Sequence, residues 1–139
     1  MIAAWLARLR RPKAAPDEPG DDRRRRGKTA EDLAAARVKR EGGRIVARNW
    51  RCKLGELDLI VWERKILAFV EVKSRESDEF GRPSDGVNRA KRRRIERLAL
   101  AFCRQRRLDP ETQRFDIIEV IWTEPPAVEW LRGAWRVGD

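Results

Sequence analysis

The chain has 139 residues and a mass of 16.3 kDa, one domain's worth of sequence, which excludes a multidomain organisation. Lys and Arg number 33 against 23 Asp and Glu, a formal charge of +10 that makes a polyanionic partner the first expectation. The lack of any His or Tyr excludes histidine general bases, histidine metal sites and phosphotyrosyl chemistry, and Cys52 and Cys103 lack the spacing of a disulfide framework or zinc site, as suits a reducing cytoplasm.

From the N-terminus, residues 1–26 read as a disordered basic extension. Ile2, Trp5, Leu6 and Leu9 have helical spacing beside Arg8, Arg10 and Arg11, the grouping of a surface-seeking helix, but the simpler reading is a frayed tail. These apolar residues precede the positive charges, the reverse of a secretory signal, and no apolar run nears the roughly 20 residues that span a bilayer. The expected location is therefore the cytoplasm, with no membrane partner. Pro12 to Arg26 holds three prolines and four consecutive arginines without apolar period, which is linker composition. Gly27-Lys28-Thr29 looks like the end of a phosphate-binding loop, but six residues separate Gly20 from Gly27 where that motif needs four, so it is set aside.

A single domain is expected over residues 27–139. Thr29 and Asp32 form a capping box, Ala30, Leu33, Ala34 and Val38 share one helical face, and Gly42 with Gly43 ends that helix. Strands are predicted over Arg44–Trp50, Glu56–Trp62 and Ile66–Lys73, followed by a charged loop from Ser74 to Pro83. Ser84 then caps a long helix ending near Arg107, and strands follow over Arg114–Trp122 and, more weakly, Val128–Val137. The order α-β-β-β-α-β with an extra terminal strand predicts an α/β fold, one mixed sheet flanked by helices.

Strict alternation in the second and third strands puts Leu57, Leu59 and Val61 on one face and Glu56, Asp58, Ile60 and Trp62 on the other. A tight loop at Arg64 and Lys65 then pairs Leu57 with Val72, Leu59 with Val70 and Val61 with Ala68, so that the apolar faces coincide. The same register sets Asp58 opposite Glu71 and Glu56 opposite Lys73. Two facing carboxylates cost a hairpin roughly 0.2–1 kcal/mol. A divalent cation would explain their presence, since carboxylate oxygens are hard ligands suited to Mg²⁺ or Mn²⁺. Lys73, on the same face, could then orient a water or stabilise charge on an attacked phosphate. The plainer alternative is a solvated face with a Glu56–Lys73 ion pair.

Asp58 followed on the next strand by Glu71-Val72-Lys73 resembles the PD-(D/E)XK nuclease superfamily. Within it, Arg48-Asn49-Trp50-Arg51, Gly55 to Ile60, Phe69 to Arg75, Phe80-Gly81 and Arg114-Phe115-Asp116 are similar to the YraN family of small bacterial proteins. The resemblance implies a restriction-endonuclease-like fold and cation-dependent phosphodiester hydrolysis, with Asp58, Glu71 and Lys73 as the catalytic set, and the expected substrate is DNA before RNA, branched or single-stranded forms included. It implies Asp58 and Glu71 as metal ligands, with the backbone carbonyl of Val72 and Glu31 of the first helix as further candidates. Glu31 has a simpler explanation too, because a carboxylate in a helix's first turn favours the helix dipole. By analogy with nucleases that cut two strands, a homodimer is also expected.

Between Asp85 and Arg107 nine Lys or Arg face only two acids, which places seven net positive charges on one predicted helix. Lys91 falls in the middle of the apolar stripe of Val87, Ile95, Leu98 and Phe102. Buried there it needs a negative partner, supplied by Asp58 and Glu71 or by a substrate phosphate, unless it snorkels past the apolar edge. Lys91, Arg89, Arg92 and Arg93, with Arg75 from the loop, are the candidate nucleic-acid contacts. No base-reading motif is present, so recognition of structure or of a strand end is expected rather than of sequence. A non-catalytic nucleic-acid-binding module is the alternative to a nuclease.

Overall fold

Runs of strand-forming residues, strictly alternating in the second and third, build the five expected strands. In the computed structural model, which describes residues 22–76, 87–109 and 112–139, these are β1 (Arg44–Cys52), β2 (Gly55–Glu63), β3 (Ile66–Arg75), β4 (Gln113–Ile121) and β5 (Ala127–Trp135). With helices α1 (Asp22–Arg40) and α2 (Arg89–Arg106) the order is α-β-β-β-α-β-β, so the extra terminal strand is present. The strands form one mixed sheet in chain order. Only the β3–β4 pair is parallel, since α2 provides the long crossover that such a pair needs.

The sheet separates two cores. Leu67 and Phe69 pack with Ile95, Leu98 and Phe102 of α2, while Ala68 and Val70 pack with Ala34 and Val38 of α1. Successive residues of β3 thus serve opposite layers, and the helices cover opposite faces.

Both helix starts differ from expectation. The first helix begins at Asp22, so Thr29 lies inside it and its hydroxyl donates to the Arg25 carbonyl (2.7 Å) instead of capping. Back-bonding of this kind satisfies a threonine within a helix. The second begins at Arg89 with Asn88 as its cap, its side chain accepting from the Lys91 amide (2.9 Å). Ser84, residues 1–21 and the Phe80-Gly81 segment lie outside the described residues.

The hairpin register is the expected one where the strands remain paired. Leu59, Ile60, Val61, Trp62 and Glu63 face Val70, Phe69, Ala68, Leu67 and Ile66 in turn. Arg64 and Lys65 both adopt positive φ (51° and 63°), the backbone that a two-residue hairpin loop requires even without glycine. The ladder stops at Leu59 and Val70, so the expected pairs Asp58–Glu71, Leu57–Val72 and Glu56–Lys73 do not form. Glu56 instead pairs with Arg51 of β1 (2.8 Å).

Nor does β2 keep one alternation throughout. Leu57 belongs to the α2-side core with Ile60, whereas Leu59 and Val61 belong to the α1-side core. On the paired strand, Arg48 reaches Asp32 of α1 while Trp50 meets Phe102 of α2. Between them Asn49 has φ 50°, a left-handed residue that reverses the faces of the strand.

A buried ionic network fastens the other half of the sheet. Asp116, fully buried, accepts from Arg114 through two nitrogens (2.8 and 2.9 Å), from the Trp130 indole (2.9 Å) and from the Gly133 amide (2.9 Å). Gly133, at φ 64°, lies where β5 bulges against β4, which lets its amide turn toward that carboxylate. Glu63 accepts from Arg132 (2.7 Å) and Arg114 (3.0 Å), and these bonds hold its carboxyl down at about 2. A carboxylate with a depressed folded-state pKa stabilises the protein above its unfolded value and loses that contribution as pH falls toward the folded one. Glu63→Gln is expected to lower stability at neutral pH by about 3 kcal/mol and to flatten its decline between about pH 5 and pH 2, as read by urea unfolding across that range.

Candidate metal and nucleic-acid site

Beyond Val70, β3 continues beside β4 as far as Arg75, while β2 leaves it to follow β1. The edge of β3 from Glu71 to Lys73 therefore opens into a cleft between diverging strands. Val72 would lack a ladder acceptor there, and the Asp58 carboxyl takes that place, accepting from its amide at 2.9 Å. The amide and carbonyl of one strand residue point to the same edge. The Val72 carbonyl therefore faces the same cleft.

Asp58 and Glu71 meet in this cleft. Burial first, and then the charge of Glu71, push the Asp58 carboxyl well above the usual carboxylate range, and a hydrogen bond with Glu71 adds to the rise. Glu71, only 9% exposed, accepts a contact from the Lys91 ammonium (2.7 Å). The carboxylate needed beneath the lysine in the apolar stripe of α2 is thus Glu71. Lys73, half-buried on the same side of β3, has its ammonium pulled below the usual lysine value by burial and then by the charge of Lys91. Four residues from three elements, Asp58, Glu71, Lys73 and Lys91, are thus linked through Glu71, which acts on each of the other three.

Glu31 stands at the edge of this group. Burial raises its carboxyl pKa, a hydrogen bond from Asn49 opposes the rise, and its charge is felt at Asp58. Among the described residues no group of three or more Asp, Glu or Cys side chains is arranged to hold a metal ion.

The candidate nucleic-acid residues divide into two kinds. Arg89 and Arg93 are exposed on α2, as are Arg94 and Arg97. Arg75, Lys91 and Arg92 are held internally: Arg75 ion-pairs with Glu119, Lys91 with Glu71, and the Arg92 guanidinium donates to the Val87 carbonyl (2.9 Å) and lies over Trp135.

Two site-building residues escape sequence reasoning. Glu119 of β4 is 4% exposed and lies directly beside Lys73 in the parallel ladder, where its charge reaches the lysine. An acid interrupting the apolar stretch from Ile117 to Ile121 in β4 was the available signal. Asn49 reverses β1 and supports Glu31, and its signal was an asparagine among strand-forming residues. Both cysteines are free, and among the described residues no helix is long and apolar enough to cross a membrane.

Residues 30–120 match the model of a family described as "Uncharacterised protein family UPF0102". A UPF0102 protein of Solibacter usitatus (strain Ellin6076) is 44% identical over 110 residues, 78% of this chain and 83% of its own. UPF0102 proteins of Nocardia farcinica (strain IFM 10152) and Paenarthrobacter aurescens (strain TC1) are 42% and 40% identical. Those alignments take in 80% and 77% of this chain and 89% and 90% of theirs.

A carboxyl whose folded-state pKa is raised destabilises the fold progressively as pH climbs from its unfolded toward its folded value. Asp58→Asn keeps an acceptor for the Val72 amide and removes that penalty. The variant is expected to be more stable than wild type by about 1–3 kcal/mol near pH 8, with the difference vanishing near pH 4, as measured by denaturant titration.

Proposed function

The chain belongs to the uncharacterised protein family UPF0102, and from the site it carries we propose that it is a divalent-cation-dependent nuclease hydrolysing phosphodiester bonds in DNA. The observation that carries this reading is the meeting of Asp58 and Glu71 at the end of the β2–β3 ladder, beside Lys73 and Lys91. Such a pair opposes folding near neutral pH, which makes sense if function requires it.

The donors fit the ion. Asp58, Glu71 and the Val72 carbonyl would offer hard oxygen ligands to Mg²⁺ or Mn²⁺, which accept one or two carboxylates and leave other positions to water and substrate phosphate. Bound there, the cation would polarise a phosphate and acidify a water. Lys73 would orient the attacking water or hold charge on the attacked phosphate. Lys91 neutralises Glu71 in the resting protein and presents the same ammonium to an arriving phosphate. Exposed Arg89, Arg93, Arg94 and Arg97 would add contacts to the phosphate backbone, which carry no sequence information. The preference for DNA rests on the superfamily resemblance, and cutting both strands would call for a homodimer.

A second reading is a non-catalytic nucleic-acid-binding module. It is favoured by the Lys91–Glu71 contact, which gives Glu71 a counter-charge with no ion.

Calorimetric titration of Mn²⁺ into wild type and Asp58→Ala, with cleavage of labelled linear, single-stranded and branched DNA, separates the two. The expected result is loss of both binding heat and cleavage in the variant, the latter by about a hundredfold or more. A wild type that binds no divalent ion even with DNA present overturns the nuclease reading.

A further inference from the structure

We propose that the cavity between α2 and the β4–β5 end of the sheet takes an unpaired nucleotide of the strand whose phosphate lies at Asp58 and Glu71, making the substrate class nucleic acid with single-stranded nucleotides rather than uninterrupted duplex. The inference rests on the nucleic-acid reading above and deepens it.

The cavity has a volume of about 980 Å³, at the upper end of the roughly 300–1,000 Å³ of small-molecule sites. Its apolar floor includes Leu100, Phe115 and Trp135, and its rim carries Arg93, Arg97 and Arg136, all exposed. The floor is preformed. Trp135 stacks on Phe115 (5.3 Å, 15° between planes) and donates its indole N–H to Glu96 (3.2 Å). Glu96, the acid among the described lining residues, is held by that bond and is outnumbered by the exposed Arg93, Arg97 and Arg136.

An apolar recess ringed by guanidinium groups suits a ligand that is flat and weakly polar in one part and anionic in the next. A nucleotide has this character, and guanidinium planes also stack on bases. A paired base cannot enter, because its edge is held by its partner inside the stack and its extrusion costs a few kcal/mol.

Continuity with the candidate site selects a polymer. Arg97 lines this cavity and also a second one of about 630 Å³ on the other flank of α2, whose lining includes Arg94 and Lys91. Lys91 in turn contacts Glu71. From Lys91 to Arg97 the helix rises about 9 Å, so a strand crossing α2 can touch both flanks within a few nucleotides. An acidic peptide would satisfy the rim but brings no flat, weakly polar base to the apolar recess.

The test uses the full chain carrying Asp58→Ala, so that cleavage cannot intrude, and fluorescence anisotropy with a labelled oligothymidylate and a duplex of equal length. Leu100→Trp fills the recess, and Arg136→Glu reverses the rim without touching the core. The expected result is that each weakens oligothymidylate binding about tenfold and leaves duplex binding unchanged. Equal effects on both ligands, or none on oligothymidylate, overturn the proposal, and so does an alternating Glu-Leu peptide that binds with loss in both variants while oligothymidylate binding stays intact. Should Leu100→Trp fail to fold by circular dichroism, Arg136→Glu decides alone. Failure of the nuclease reading shows separately, as absent Mn²⁺ binding in wild type with the oligothymidylate preference retained.

Discussion

The divergence of β2 from β3 beyond Leu59 and Val70 is the constraint on which the site depends. A strand edge opened in this way exposes an amide that must find an acceptor, because an unsatisfied buried N–H costs about 1–3 kcal/mol. Asp58 supplies it through its side chain. The bond draws its carboxyl toward β3, next to Glu71, and the carboxyl pair follows from the repair of the ladder. The repair is itself costly, since it holds a buried acid beside a second one and forces a proton onto the pair.

The opening is created one strand away. Asn49, in left-handed backbone, reverses β1 so that Trp50 turns to α2 after Arg48 has turned to α1. Leu57 moves with Trp50, its partner in the ladder. Asp58 lies at that change of face, between Leu57 and Leu59. Meanwhile β3 cannot follow β2, because it is bound to β4 in parallel register as far as Arg75. The Glu63, Arg114, Asp116 and Arg132 network further ties β2, β4 and β5 together.

The strong positive charge of α2 is organised by what lies beneath it. Lys91 points inward to a carboxylate and Arg92 folds back onto Trp135 and Val87, while Arg89, Arg93, Arg94 and Arg97 project outward. Inward cations set the electrostatics of the cleft, and outward ones form the surface that a polyanion meets first. Arg75 belongs with the inward set, since Glu119 would otherwise be a buried uncompensated charge.

Much of this was legible in the sequence, and for local reasons. Period-two alternation located the second and third strands and strand-forming composition the others, while the two-residue loop at Arg64 and Lys65 determined the hairpin register, and these follow from pleat, propensity and turn geometry. The spacing of Asp58, Glu71 and Lys73 put the acids and the lysine on adjoining strands, and the position of Lys91 within an apolar stripe required an acid beneath it. Tertiary structure alone decided where the ladder ends and which acid Lys91 meets. It also decided that Asn49 reverses a strand and that Glu119 comes to lie beside Lys73. The physical reason is one of range. Alternation and turn type are properties of neighbouring residues, whereas strand divergence and ion-pair choice depend on segments far apart in the chain competing for one volume.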